Sequence, residues 1–383
     1  MYMQKPYLHN LTSLRGITAI LVAVLHFHFF VIAIATSHIA HLIDKFYLMV
    51  DLFFILSGFI MCYVYEPNFN KGVKKASYKN FLVARLARIY PLHILTICAE
   101  VLIFLCLVSK IGYDNLGSFK QHIYRLDGIP VQLAFLQTVG IYNFDTWNAP
   151  AWSLSAEWWA YVLFPFLFAI FIKLKGIKKF LPIVLALLGW ILIEFVLSAK
   201  EPFMDFPLNP NKRTLDVNWH YGTLRGIIGF ICGMGIWLVF EKLNFKSILG
   251  NGWTLITLTA FSIISMATGW FDVISVFLIA IIILASAYGS KNIDKFYSFS
   301  ILKKLGDWSF SIYIWHMILI HTLLIPFTEV GKNPKKVFQI LVENIPSVLL
   351  LMGFLAVTTF IGWLSFRYIE TPTRRWIKRK FSS

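Results

Sequence analysis

The sequence predicts an all-α polytopic membrane protein with about ten transmembrane helices and both termini in the cytoplasm. Three observations carry that prediction. Only 14% of the 383 residues are charged and 58% are hydrophobic, whereas a soluble domain carries about a quarter charged residues. The apolar residues gather into runs of roughly 20, the length that crosses a hydrocarbon core. The 35 Lys and Arg outnumber the 19 Asp and Glu, for a net charge of +16, and they fall unevenly between alternate connecting segments. No low-complexity tract or sustained heptad occurs, which excludes disorder, collagen-like repeats and coiled coils.

Taken in order, the apolar runs cover about 14–34, 47–65, 89–109, 152–172, 180–198, 224–241, 253–270, 272–289, 306–327 and 346–367, within a single domain over 1–383. Phe81-Leu82-Val83 extends the third run backwards, and only Gly269-Trp270-Phe271-Asp272 parts the seventh from the eighth. With the N-terminus inside, the basic residues divide 24 to 11 in favour of the inner segments, the bias that sets orientation in membranes. The positive charge therefore speaks for a multi-pass protein of the cytoplasmic (inner) membrane, not for a nucleic-acid partner. The first run lacks a small-residue cleavage site and reads as an uncleaved span. Cys62, Cys98, Cys106 and Cys232 lie within apolar runs without metal-type spacing and read as buried small hydrophobes. No zinc motif, P-loop or dinucleotide fingerprint is present, and no metal is expected. The longest polar stretches, about 110–150 and 199–222, are too short to form an enzyme of their own. Any chemistry is expected inside the bundle.

An ionisable group at membrane depth costs a few kcal/mol, so each needs a partner or a task. Arg15 and His26 are eleven positions apart, about 20° from whole turns, and so share one face of the first helix. His26 sits about 16 Å deeper than Arg15, while His28 faces about 200° away from His26. Asp51 opens the second span, with Ser57 and Gly58 permitting close helix approach. Arg85 and Arg88 are three apart on one face at the entrance to the third span, where two guanidinium forks can clamp phosphates or anionic headgroups. Glu157 lies about one turn inside the fourth span, able to orient a histidine or bind a hydroxyl. Ser309, Tyr313 and His316 form one stripe on the ninth. Glu370-Thr371-Pro372 follows the last span and reads as a capped helix end.

These segments together resemble acyltransferase family 3, the membrane-embedded acyltransferases. The matching pieces are Leu14-Arg15-Gly16 with His26, Asp51-Leu52-Phe53-Phe54-Ile55-Leu56-Ser57-Gly58-Phe59, Arg85-x-x-Arg88-Ile89-Tyr90-Pro91-Leu92, Trp152-Ser153-Leu154 with Glu157, Gly306-Asp307-x-Ser309 with Tyr313 and His316, and Glu370-x-Pro372. They stand in family order across about residues 12 to 376. The resemblance implies a ten-helix core that moves an acyl group, most often acetyl, from acyl-CoA to a carbohydrate hydroxyl, as on an O-antigen, an exopolysaccharide or another glycan. Some members carry an appended esterase-like domain, and a single-domain form is expected here.

Under that resemblance Arg85 and Arg88, with Arg15, hold the coenzyme A phosphates. His26 serves as general base or as nucleophile, and Asp51, Glu157 or His316 fixes its tautomer. The expected partners are acyl-CoA, a carbohydrate acceptor and membrane lipids, and a homo-oligomer is compatible with the sequence. A proton-coupled secondary transporter using His26 and Glu157 as a relay is the rival reading. It leaves the paired arginines and the lack of an internal repeat unexplained.

Overall fold

The computed structural model of the chain describes residues 5–381 except 33, 36, 117, 202–212, 244 and 325–344. Regular structure among the described residues is helical, without strands. The apolar runs fall on α1 His9–Phe30, α2 Met49–Phe69, α3 Lys75–Ile111, α4 Ala151–Phe171, α5 Leu181–Leu192, α6 Gly222–Lys242, α7 Gly252–Ala267, α8 Asp272–Tyr288, α9 Ser300–Leu319 and α10 Ser347–Ser365. A basic amphipathic helix, α11 Thr371–Phe381, follows them. The chain is thus an all-α polytopic membrane protein.

Among the described residues, 7 helical segments are individually long and apolar enough to cross a membrane. The number is 8 if α8 and the short helix Lys291–Tyr297, bent from it by 103°, make one span. α7 falls short with 16 residues, and Lys303, Lys304 and Asp307 keep the first half of α9 polar. The end of the expected ninth run, 325–327, lies outside the described residues.

The third helix departs most from its expected bounds. Lys75, Ala76, Leu82, Arg85 and Leu86 are helix formers, so α3 starts well before residue 89 and carries Arg85 and Arg88 in its interior. Its 37 residues extend to about 55 Å, against a hydrocarbon core of about 30 Å, and Gly112 ends it at φ 80°.

The connections alternate between two ends of the bundle. At one end Lys5 Nζ donates to Glu66 (2.6 Å) and Glu241 (3.2 Å), and Asn10 donates to Asp294 (2.6 Å). At the other, Lys45 and Tyr47 donate to Asp272, which also accepts from Leu215 N at 2.8 Å. The segments that the basic-residue bias assigns to the inside gather at the first end.

Two glycine crossings draw the central helices together. A Cβ on Gly16 of α1 would lie 2.5 Å from Gly306 N of α9, and one on Gly58 of α2 would lie 2.0 Å from Phe230 O of α6. Only hydrogen side chains allow backbones that close. The Arg15-Gly16 and Gly306-Asp307 motifs therefore have a packing function: they set Arg15 against the first turns of α9. Farther out, Leu188, Ile256 and Phe360 are exposed, as apolar side chains facing lipid would be. Cys62 and Cys232 are buried as expected, but Cys98 and Cys106 lie on the exposed side of α3.

Three π-helical turns extend helices: Ile193–Leu197 after α5, Ile320–Leu324 after α9 and Phe366–Glu370 after α10. Each carries a buried ionisable side chain, respectively Glu194, His321 and Glu370. Such turns frequently mark functional positions in helices.

Candidate functional site

Two cavities meet inside the bundle. The first, about 150 Å³, opens toward the end that holds Lys5 and is lined by Arg15, Arg85, Arg88 and Glu157, with Ser57, Ser153 and Ser309. The second, about 180 Å³, lies toward the end that holds Asp272 and is lined by His26, Asp44, Asp145, Asp216 and His321, with Trp147, Trp152 and Trp219. Tyr313 lines both. Its hydroxyl shares a hydrogen bond with Ser153 (2.8 Å) and donates to Pro150 O (3.2 Å), which fixes the ring between them.

The arginines of the first cavity are held in three different ways. Arg15 donates through Nε to Ser309 Oγ and through Nη2 to Gly306 O, both at 2.9 Å. Arg88 forms an ion pair with Glu370, whose other oxygen accepts from Ser311 at 2.9 Å. Glu370 is thus a buried partner of Arg88, beyond its expected part as a helix cap. Arg85 donates to Tyr65 OH at 2.8 Å, and its guanidinium lies over the Tyr65 and Tyr161 rings at 5.2 and 5.8 Å. Its Nε is buried and lacks a hydrogen-bond partner among the described residues.

Packing of α11 along α3 adds more positive charge to this mouth. Burial, then the Arg88 guanidinium, lowers the Arg374 pKa; burial, then Arg85, lowers that of Lys378. Like charges crowded in this way call for an anion.

Glu157 belongs to the first cavity. It accepts from Ser57 Oγ at 2.5 Å and from Tyr161 OH.

His26 borders the second cavity, and its neighbour is His316. His316 Nδ1 lies 2.5 Å from Tyr313 O, and its Nε2 lies 3.2 Å from His26 Nδ1, which is also 2.9 Å from Val22 O. Carbonyl oxygens only accept, so these contacts select one proton arrangement. His316 Nδ1–H donates to Tyr313 O, leaving Nε2 as an acceptor. His26 Nδ1–H is shared between Val22 O and His316 Nε2, and His26 Nε2 keeps its lone pair. His28 is placed differently: its Nδ1 accepts the backbone N–H of Ile34 at 3.0 Å and so ties down the chain leaving α1.

Asp51 engages Arg225, not a histidine. The two are fully buried and joined at two points, Nη2 to Oδ2 at 2.7 Å and Nε to Oδ1 at 3.1 Å. Arg225 also donates to Asp216, Asn218 and Tyr47 O. Glu201 accepts the backbone N–H groups of Asn218, Trp219 and His220. Together these contacts fasten the 213–221 segment over the second cavity. Of the three groups considered for orienting His26, only His316 is in contact with it; Asp51 and Glu157 have these other partners. In the connection between α3 and α4, burial raises the Asp145 pKa to about 7, partly offset by the neighbouring Trp219 and reinforced by Asp216 and Glu201.

Three contributors are not evident from sequence patterns. Arg225 sits at the edge of an apolar run, and Glu100 and His321 lie within such runs, although a carboxylate at position 100 is itself the intramembrane signal. Among the described residues, no three His, Cys, Asp or Glu side chains converge as metal ligands would.

Helices packed around two adjoining cavities, one lined by three arginines and one bordered by a histidine, define a polytopic membrane protein with ionisable groups gathered at depth. A family model described as an acyltransferase domain matches residues 8–376, and the chain belongs to that family, acyltransferase 3. It is 23% identical over 352 residues to the peptidoglycan O-acetyltransferase OatA of Listeria monocytogenes, covering 85% of this chain and 51% of the relative. It is 24% identical over 396 residues to the O-acetyltransferase OatA of Staphylococcus aureus, covering 96% and 57%. Acyltransferase MdmB of Streptomyces mycarofaciens is 23% identical over 400 residues, covering 97% and 93%. The chain thus spans about half the length of the two OatA relatives and nearly all of MdmB. No solved structure matches it.

Proposed function

We propose that the protein transfers an acyl group, acetyl in the first instance, from acyl-CoA on the cytoplasmic side to a hydroxyl of a carbohydrate. The observation that carries this reading is the adjacency of the two cavities across Tyr313. Arg85, Arg15 and Arg88 surround the first, with Arg374 and Lys378 beside its mouth. Planar guanidinium forks suit the phosphates of coenzyme A, and the orphaned Arg85 Nε offers a donor in want of an acceptor. With its phosphates there, the pantetheine arm extends along the Arg15–His26 face of α1 toward Tyr313 and His26. The Nε2 lone pair of His26 is then available to take a proton or to attack the thioester carbonyl.

The second cavity suits the acceptor. The indoles of Trp152 and Trp219 offer apolar surface, and Asp44, Asp145 and Asn218 offer hydrogen-bonding groups for hydroxyls. Names of the relatives support an O-acetyl transfer to a glycan. A relay between His26 and Glu157, which the transporter reading requires, gains no support, because the two side chains line different cavities.

The test is direct. Purified chain in nanodiscs should bind acetyl-CoA and release CoA slowly, faster with a carbohydrate acceptor present; absence of CoA binding and turnover overturns the reading. The orientation is checked separately by reporter fusions, which should read cytoplasmic at Lys75 and external at Asp127.

A further inference from the structure

Glu100 of α3 is 1% exposed, and neither carboxylate oxygen has a hydrogen-bond partner among the described residues. Among the described residues, its ion-pairing neighbour is His321, whose Nδ1 lies 3.7 Å from Glu100 Oε1. A buried carboxylate left so bare is expensive, and nothing in the packing of α3 requires it. His321 is 5% exposed and lines the same cavity as His26. Tyr313, Met317 and His321 follow at four-residue steps along the side of α9 and its π-helical extension that borders this cavity.

A histidine that carries an acyl group on Nε2 has used the lone pair it needs to deprotonate the acceptor. His26 has no second free nitrogen, since Nδ1–H is committed to Val22 O and His316. The reaction therefore needs another base on the acceptor side. Asp216 is bound by Arg225, and Asp145 lies against Trp219.

We infer that His321 is the general base for the acceptor hydroxyl and that Glu100 is its positioning residue, an inference that rests on the acyl-transfer reading above. In the first step His26 Nε2 attacks the thioester: a C–N bond forms, the C–S bond breaks, and the thiolate leaves with the electron pair. In the second, the acceptor oxygen attacks the acyl-imidazolium: a C–O bond forms, the C–N bond breaks, and the electron pair returns to His26 Nε2. The hydroxyl proton passes to His321 Nε2 and from there to solvent or the departing thiolate. Glu100, 3.7 Å from His321 Nδ1, sets a carboxylate beside that nitrogen, which favours the proton there and stabilises the imidazolium that forms.

The experiment compares two acceptors that differ in their need for a base. Glycerol supplies an ordinary hydroxyl, whereas hydroxylamine attacks acyl groups without general-base help. Both are offered with acetyl-CoA to the wild type, His321→Gln, Glu100→Gln and Glu100→Asp in nanodiscs. His321→Gln should lose transfer to glycerol by on the order of 10²-fold or more and keep transfer to hydroxylamine within a few-fold, with CoA affinity unchanged. Glu100→Gln should show the same split more weakly, and Glu100→Asp should recover part of it. Equal loss with both acceptors, or glycerol transfer at the wild-type rate in His321→Gln, overturns the assignment. A wild type that consumes no acetyl-CoA with either acceptor overturns the acyl-transfer reading itself.

Discussion

His26 and His316 meet nitrogen to nitrogen at 3.2 Å, their rings tilted by 48° with centroids 4.9 Å apart. The contact joins α1 to α9, the helices that also cross at Gly16 and Gly306. One crossing therefore positions both Arg15, at Ser309 and Gly306, and His26, at His316. A proton on His316 Nε2 would face the proton of His26 Nδ1, so the pair works only in the sequence Tyr313 O, His316, His26.

His316→Ala should consequently lower acyl transfer by at least about tenfold while leaving CoA affinity within about twofold, because only the orientation of His26 is lost. His316→Gln, which keeps an acceptor oxygen, should recover part of the rate. His26→Ala should lose about 10²–10⁴ in rate, whereas His28→Ala should retain much of it and instead melt at lower temperature. Transfer assays paired with thermal melts separate the three.

Arg85 and Arg88 should behave differently although they sit on one face of α3. Removing Arg88 strands the buried Glu370 carboxylate, and a broken buried pair costs about 3–5 kcal/mol. Arg88→Gln should therefore destabilise the protein strongly, and the double change Arg88→Gln with Glu370→Gln should restore most of the melting temperature. Arg85→Gln strands no buried carboxylate, losing the bond to Tyr65 OH and the contacts with the Tyr65 and Tyr161 rings, so it should destabilise much less than Arg88→Gln and weaken CoA binding. Equal stability losses at the two positions would count against this division.

The helices were legible in the sequence because burial in lipid forces one pattern, a long apolar run with its backbone satisfied internally. So was the shared face of Arg15 and His26, which follows from 3.6 residues per turn. What stayed hidden depends on contacts between distant segments. Nothing local tells that Arg225 folds back onto Asp51, 174 positions away, or that Glu370 reaches Arg88, 282 positions away. The π-helical turns under Glu194, His321 and Glu370 break the periodicity on which a helical face is read. Asp51 shows the same limit from the other side: its place at the start of the second span is legible, and its partner Arg225 is not.

Arg374 and Lys378 are four residues apart on α11, hence on one side of that helix, and both feel the positive charge of Arg85 and Arg88. If that crowding is relieved by coenzyme A phosphates, Arg374→Gln with Lys378→Gln should weaken CoA binding by about tenfold in nanodiscs of neutral lipid. The loss should shrink at high salt, as screening removes the attraction at this partly exposed site. Unchanged affinity there, with weaker retention on anionic vesicles, would assign the two cations to lipid headgroups.

The last expectation concerns pH and follows from Asp145. Its carboxyl is held near a pKa of about 7, against an ordinary 3.8, chiefly by burial. Below pH about 4 the folded and unfolded states are both protonated, and the shift has no effect on stability. Between about 4 and 7 the folded state keeps a proton that the unfolded state has released, so raising the pH favours unfolding. Above about 7 the whole penalty stands, at most about 4 kcal/mol. Asp145→Asn removes the titration and keeps a side chain of the same shape. Its melting temperature should match the wild type near pH 4, exceed it increasingly up to pH 7, and then run parallel. Melts of both proteins across pH 4–8 check this, and a gap that stays constant over the range would show that Asp145 ionises freely in the folded protein.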